Sequence, residues 1–279
     1  MGKAYAFRYS WQKEEAIEPL LEQLLKDSQI SQVEALTFGM LQEDVFETSQ
    51  SQYIVDYLVN AKDKLTNLKA IFIGDITQDE SEISWITHTN ISPVLSAYPN
   101  LELLQIRGGE GLGFSPIQHD KLQALIIETG GLSKDTIADI SKLQLPNLQH
   151  LELWLGSEYY GGNSTVEDLN WIMSGNVSEN LIYLGLRNSE YSDEIVAAIA
   201  KFPILERIRI LDISMGTLTD EGANTLLKCS AIDNLDILNI SENYLSQKIV
   251  ESLQKLNIRV ITDKQKDEDE DERYCSVSE

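Results

Sequence analysis

The sequence predicts an α/β solenoid in which a strand–helix unit repeats about nine times. Two observations predict this fold: the phrase Leu-x-x-Leu-x-Leu recurs along the chain with variations, and amphipathic helical segments separate its copies. One strand–helix unit cannot bury its own apolar face, whereas stacked units share a core and a parallel sheet. We therefore expect a curved parallel β-sheet on the concave side and helices on the convex side.

The recurring phrase is the strand segment of a leucine-rich repeat. Its copies begin at Val33, Leu68, Leu101, Leu122, Leu148, Leu181, Ile208, Leu235 and, more weakly, Ile258. The repeats from Ile208 and Leu235 align best, and their strand–loop–helix register resembles the ribonuclease-inhibitor class. The step from Leu101 to Leu122 is only 21 residues and rich in Gly, so this unit should lack a full helix.

Helical periodicity places helices between the strands and suggests how they begin. The predicted segments are 14–27, 50–65, 91–98, 133–143, 165–174, 192–201, 219–229 and 246–255. Ser133, Ser192, Thr219 and Ser246 are candidate N-caps, and Ser164 with Glu167 has the spacing of a capping box. Pro93 falls in a first turn, where its missing N–H costs nothing.

The two ends of the chain differ from the repeats. Aromatic residues at Tyr5, Phe7, Tyr9 and Trp11 alternate with other types, which predicts a strand, followed by a helix over Glu14–Asp27, as a cap within residues 1–30. The solenoid is expected to span 1–262 and an acidic tail 263–279. Asp267 to Glu272 are six consecutive acids, which predicts a solvated linker. Tyr274 and Val277 beyond it could dock back onto the body.

Charge and cysteine content narrow the partners and the compartment. With 45 acidic and 22 basic residues the net charge is −23, which disfavours nucleic acid and anionic lipid as partners. Two cysteines are too few for a disulfide framework, and no apolar run has the length of a membrane span or a signal peptide. We therefore expect a cytoplasmic protein in a reducing compartment.

Several phrases resemble a bacterial family of cytosolic leucine-rich-repeat proteins whose biochemical role is not established. They are GDITQDESEISWI from Gly74, RGGEGL from Arg107, ETGGL from Glu128, LELWLGSEYYGG from Leu151, LGLRNSEYSDE from Leu184, LDISMGTLTDEGA from Leu211 and the terminal RYCSVSE. The family favours a histidine pair where this chain has Glu242 and Asn243, so this chain lacks that pair of candidate metal ligands. The resemblance implies the repeat fold and a cytosolic bacterial setting, and it transfers no catalytic residue.

No motif in the sequence assigns a catalytic residue, a metal or a cofactor. His88, His119 and His150 lack ligand spacing and are interpreted as surface or partly buried residues. The Gly-rich segment 108–113 lacks the Lys-Ser/Thr of a phosphate loop, although a hydrolase or nucleotide-binding protein using it, with Glu110 or Glu128, stays an alternative. The acidic run lacks calcium-loop spacing. A regulator whose tail competes for a basic surface is a further alternative.

The concave face offers the most informative candidates, because side chains alternate along a strand and the variable positions must face away from the core. The candidate partner-binding residues are Arg107, Glu128, His150, Glu152, Trp154, Tyr183, Arg187 and Asp212. Trp, Tyr and Arg are enriched in interface hot spots. The preferred hypothesis is therefore a non-enzymatic module that binds another protein around an exposed Trp154 and Arg187. The alternative for Trp154 is that the loop 156–165 folds over and buries its side chain.

Overall fold

The fold is a leucine-rich-repeat solenoid built on a single parallel sheet. The computed structural model describes residues 2–9, 17–42, 46–267 and 273–278. Its ten strands are hydrogen-bonded in chain order. They are β1 (Lys3–Phe7), β2 (Val33–Phe38), β3 (Ala70–Ile73), β4 (Leu103–Arg107), β5 (Ala124–Glu128), β6 (His150–Gly156), β7 (Tyr183–Ser189), β8 (Ile210–Asp212), β9 (Ile237–Asn239) and β10 (Arg259–Ile261).

Helices connect most successive strands. They are α1 (Glu18–Leu24), α2 (Thr48–Ala61), α3 (Ser92–Ala97), α4 (Lys134–Ile140), α5 (Asn170–Met173), α6 (Ser192–Ile199), α7 (Asp220–Lys228) and α8 (Gln247–Leu253). Short 3-10 turns supplement them, one of which, Val166–Leu169, leads directly into α5. In the part of the chain that the structure describes, every helix is too short or too polar to cross a membrane.

The sheet register pairs each repeat phrase with the next one position for position. Leu36 aligns with Ile71, and Leu104 continues the same row. These three side chains are at most 1% exposed, as is Leu151 further along the row. Because side chains alternate along a strand, the residues between them face the opposite, concave side. The repeat phrase therefore fixes which side chains are available to a partner.

The predicted strands and helices are confirmed with small shifts. The nine repeat phrases give β2 to β10, and the aromatic cap strand is β1, so the sheet has ten strands where about nine were expected. Between β4 and β5 the described chain has no α-helix, as the 21-residue step predicted. Leu112 and Phe114 are buried there and belong to the hydrophobic core.

The helix starts agree with the sequence at most positions. The side chains of Ser133, Thr219 and Ser246 accept N-cap hydrogen bonds from the backbone. Two expectations are wrong. Ser192 is the first residue of α6, and its hydroxyl donates to Ser189 O at 2.9 Å instead. The capping box lies one residue later than predicted, between Thr165 and Asp168, because Ser164 is bonded to the Tyr191 hydroxyl.

Some predicted features fall outside the described residues. They are Trp11, the start of the first helix at Glu14, and most of the acidic run after Asp267. Beyond that run, residues 273–278 lie against the body of the solenoid, and Val277 packs against its hydrophobic core.

Candidate functional site

The centre of the concave face is the Glu152 carboxylate on β6. Its Oε1 accepts hydrogen bonds from the Trp154 indole N–H and from Arg187 Nη1, both at 2.7 Å. The hydroxyl oxygen of Tyr183 lies 2.8 Å from Oε2, and His150 Nε2 lies 3.5 Å from the same oxygen. Glu152 itself is only 7% exposed. Four side chains from two neighbouring strands thus converge on one buried carboxylate.

Tyr183 links Glu152 to a second carboxylate. Its hydroxyl oxygen also lies 3.1 Å from Asp212 Oδ2, and its ring stacks on His150 with the ring centres 3.9 Å apart. Gly185 makes this possible, because it occupies the register position between Glu152 and Asp212. A Cβ there would lie 3.0 Å from the Tyr183 hydroxyl and 3.1 Å from Glu152 Cγ. The missing side chain leaves room for the phenol to bridge the two acids.

Asp212 is held from the opposite side as well. Asn239 Nδ2 donates to Asp212 Oδ2 at 2.8 Å, and the backbone N–H of Ser214 donates to Oδ1 at 3.0 Å. Arg187 Nε lies 3.6 Å from Oδ1 and donates to the Ser214 hydroxyl at 3.0 Å. Asp212 and Glu152 therefore share Arg187 and Tyr183, and the polar cluster extends across four strands, β6 to β9.

Trp154 belongs to this cluster but is not the exposed anchor that the sequence suggested. It is 8% exposed, and the Arg187 guanidinium carbon lies 5.1 Å from the centre of its ring. The expectation of an exposed Trp154 is wrong because the indole pairs its N–H with Glu152 and its face with Arg187. Its side chain therefore makes contacts within the cluster and offers a partner little exposed surface.

Arg107 and Glu128 form a second pair on β4 and β5. Arg107 Nη1 donates to Glu128 Oε2 at 2.8 Å, and Gln105 Nε2 donates to Oε1 at 2.6 Å. In contrast, Arg107 Nε is buried without a hydrogen-bond partner. The side chains of Arg107 and Glu128 are 20% and 13% exposed, so the pair is partly open to solvent on the concave face.

Glu152 and Arg187 are charged at neutral pH. Burial opposes ionisation of Glu152, but His150, Arg187 and the Trp154 N–H outweigh it and lower the pKa of this carboxyl to about 2. Burial, with Asp212 and Glu152 nearby, raises the pKa of Tyr183, so its hydroxyl stays protonated. Burial opposes the charge of Arg187, but Asp212 and Glu152 raise its pKa overall. The Tyr183 hydroxyl therefore keeps the proton that it can donate to Glu152 or Asp212.

The concave face changes character towards the first repeats. Half-buried Phe72, Leu103 and Ile126 occupy the positions that His150, Glu152 and Asp212 occupy further along, with Ala70 and Ala124 beside them. This apolar half adjoins the polar cluster, because Ala124 is paired with His150 in the sheet register. One continuous surface therefore combines an apolar area with a polar one.

The structure brings the eight predicted residues into two groups. His150, Glu152, Trp154, Tyr183, Arg187 and Asp212 form the polar cluster, whereas Arg107 and Glu128 form the separate pair. Sequence reasoning missed Gln105, Asn239 and Ser214 as partners. The first two stand in the same column of variable positions as Glu152, and that column was a signal for them.

Two further sequence interpretations can be compared with the structure. His88 and His119 are 1% and 3% exposed, so reading them as surface or partly buried residues is wrong. Each pairs its ring nitrogens with neighbouring groups: His88 with the Ser51 hydroxyl and Arg107 O, His119 with Tyr98 O and the Leu122 amide. In the Gly-rich segment, the amides of Gly108 and Gly113 donate to Glu128 O and Thr89 O of adjacent turns. These amides are not free to bind a phosphate.

Comparison with known proteins places the chain in a family. No protein-family model matches it, and no curated protein matches it. A crystal structure of a Bacteroides fragilis protein, solved by a structural genomics consortium, superimposes with a TM-score of 0.86 at 32% sequence identity. The match covers 95% of this chain and 75% of that one. The chain belongs to the same family as this protein. That protein shares the architecture described above along nearly the whole of this chain.

A more distant structure is an internalin from Listeria monocytogenes. It has a TM-score of 0.42 and 15% identity, and the match covers 84% of this chain and 55% of the internalin.

Proposed function

We propose that this protein is a non-enzymatic interaction module that binds another protein on its concave face. The observation that carries the proposal is the cluster around Glu152, in which hydrogen bonds connect several large polar side chains on a face directed away from the core. Binding to side chains that are already ordered costs less entropy than binding to mobile ones. The cluster is therefore preorganised for recognition.

The accessible parts of the face suit an interface. The side chains of His150, Arg187 and Arg107 remain 32%, 21% and 20% exposed. Interfaces favour an apolar core beside a few directed polar groups, and Phe72, Leu103 and Ile126 supply that apolar area on adjacent strands. Trp154 packs against Arg187, so we expect a partner to contact the Arg187 guanidinium and not the Trp154 indole.

Charge limits the class of partner. The net charge of −23 repels polyanions, so the partner proposed here is a protein and not nucleic acid or an anionic membrane surface. Two acidic side chains of the polar cluster, Glu152 and Asp212, share one guanidinium, that of Arg187, so acidic groups outnumber it there. A neutral or basic patch on the partner complements these acidic groups.

The test adds bulk to the face without removing any of its contacts. Ala124 is half-buried between Leu103 and His150 on the concave side, so Ala124→Arg should block a partner while leaving the cluster intact. Ala138 is exposed on α4, on the convex side, and Ala138→Arg is the matched control. Wild type and both variants are immobilised, and proteins captured from lysate of the source organism are quantified by mass spectrometry.

The proposal expects proteins that wild type and Ala138→Arg capture equally and that Ala124→Arg captures at least about tenfold less. Equal capture by all three folded proteins would show that the concave face is not the binding surface. Sedimentation of the purified chain distinguishes a second copy of itself from a different partner.

A further inference from the structure

Residues 273–278, the return segment, lie across the loops that follow the strands. The backbone N–H of Tyr274 donates to the Tyr244 hydroxyl at 2.8 Å, and Lys266 Nζ donates to Tyr274 O at 2.8 Å. The N–H of Ser276 donates to Met215 O at 2.8 Å. The segment thus runs from the loop after β9 past the loop after β8.

Asn188, near the end of β7, hydrogen-bonds to the backbone of Val277 in the return segment. Its Oδ1 accepts from the Val277 N–H at 2.9 Å, and its Nδ2 donates to Val277 O. Asn188 is completely buried and holds a left-handed backbone with φ of 52°. A side-chain amide that hydrogen-bonds to both the backbone N–H and the backbone C=O of one residue does not select for the side chain of that residue.

Cys275 and Val277, two positions apart, face the body of the solenoid, and the Ser276 Oγ between them is buried without a hydrogen-bond partner. Cys275 is 8% exposed, with its Sγ 3.7 Å from Gly156 O, and Val277 packs against the hydrophobic core. Tyr274 beside them is 58% exposed. Main-chain hydrogen bonds combined with pockets for side chains are one recurring mode by which proteins bind extended peptides.

We propose that the groove formed by Asn188, Met215, Tyr244 and Lys266 is a recognition site for an extended segment of a partner protein. The segment it fits has a small side chain followed, two positions later, by a β-branched aliphatic one. The return segment is its intramolecular occupant, and a partner's segment of the same pattern binds by displacing it. This site adjoins the concave-face cluster, because Arg187 Nη2 lies 2.8 Å from Met215 Sδ.

The occupancy has an energetic reason. If the return segment leaves, Asn188 Oδ1 and Met215 O lose the N–H donors of Val277 and Ser276, while Asn188 Nδ2 keeps Thr129 O. The groove is therefore more stable when an extended chain supplies those donors. A tethered occupant acts at an effective concentration in the millimolar range. A free peptide must therefore compete at about millimolar concentration unless the return segment is released first.

The first experiment uses the full chain with Val277→Asp, which places a carboxylate against the core and should expel the return segment. The probe is a fluorescent peptide Arg-Tyr-Ala-Ser-Val-Ser, and the matched control peptide carries Asp in place of its Val. The Val277→Asp chain should bind the probe at least about tenfold more tightly than wild type does, and more tightly than it binds the control peptide. Adding Asn188→Asp, which removes the donor to the peptide carbonyl, should abolish this binding. Absence of saturable binding by folded Val277→Asp protein overturns the proposal.

A second measurement works on the docked state. Burial, with Glu190 nearby, raises the pKa of the Cys275 thiol to about 12, so the docked thiol should react slowly with alkylating reagents. In a Cys229→Ser background, adding the thiol-free peptide at millimolar concentration should accelerate labelling of Cys275 several-fold and to saturation. An unchanged labelling rate at these concentrations contradicts the displacement.

Discussion

Arg187 and Glu152 form an ion pair across neighbouring strands, with 2.7 Å between Nη1 and Oε1. Glu152→Gln removes the negative charge to which Arg187 and Trp154 donate hydrogen bonds, while keeping the shape of the side chain. Because Glu152 is buried, we expect a loss of about 2–3 kcal/mol in the free energy of unfolding, measured by urea denaturation.

The control for this change is Glu206→Gln, at an exposed position. It should alter stability by no more than about 0.5 kcal/mol. Similar values for the two variants would mean that the Glu152 cluster contributes nothing to folding.

Tyr183→Phe tests the shared hydroxyl. The variant keeps the ring that stacks on His150 but leaves Glu152 and Asp212 without their common donor. We expect a loss of about 1–2 kcal/mol, by chemical denaturation. Tyr53→Phe, at a position 36% exposed, is the matched control and should be neutral. A neutral Tyr183→Phe would show that the bridging bond is not needed.

Stability should fall in mild acid because of His88. Burial lowers the pKa of His88 to about 4, against 6.5 in the unfolded chain, so between these values the unfolded state binds a proton that the folded state does not. The free energy of unfolding is therefore unaffected by His88 protonation above pH 6.5. It decreases as the pH falls towards 4, by about 3 kcal/mol in total.

The measurement is the unfolding free energy at intervals from pH 7.5 to 4.5. His88→Gln should flatten the dependence by roughly one proton, whereas Lys201→Gln, an exposed change, should leave it as in wild type. An unchanged slope in the His88 variant would assign the effect to other groups.

Gly156 and Gly161 test how closely the loops pack. Both have positive φ, 69° and 91°, but a Cβ at Gly156 would lie 1.9 Å from Gly130 O, whereas at Gly161 the nearest atom is 3.9 Å away. Gly161→Ala should cost about 1 kcal/mol for backbone strain alone. Gly156→Ala should cost at least about 3 kcal/mol or prevent folding, as thermal denaturation will show. Equal costs would mean that strain decides and packing does not.

The sequence alone determined where the repeats lie and which residues are on the concave face. The Leu-x-x-Leu-x-Leu phrase fixed which residues are buried, and alternation along the strands then put His150 beside Tyr183 and Trp154 beside Arg187, as the register confirms. These relations follow from a two-residue period and in-register stacking, and both can be read from one chain without knowing any side-chain conformation.

Tertiary structure alone decided how those side chains are used. Trp154 is buried because Glu152 and Arg187 reach it from the same and the next strand, and Gly185 matters because it leaves room for Tyr183. Asn188 meets Val277 across 89 residues of sequence. Such contacts depend on rotamers and on segments that meet only after folding, so no local pattern encodes them.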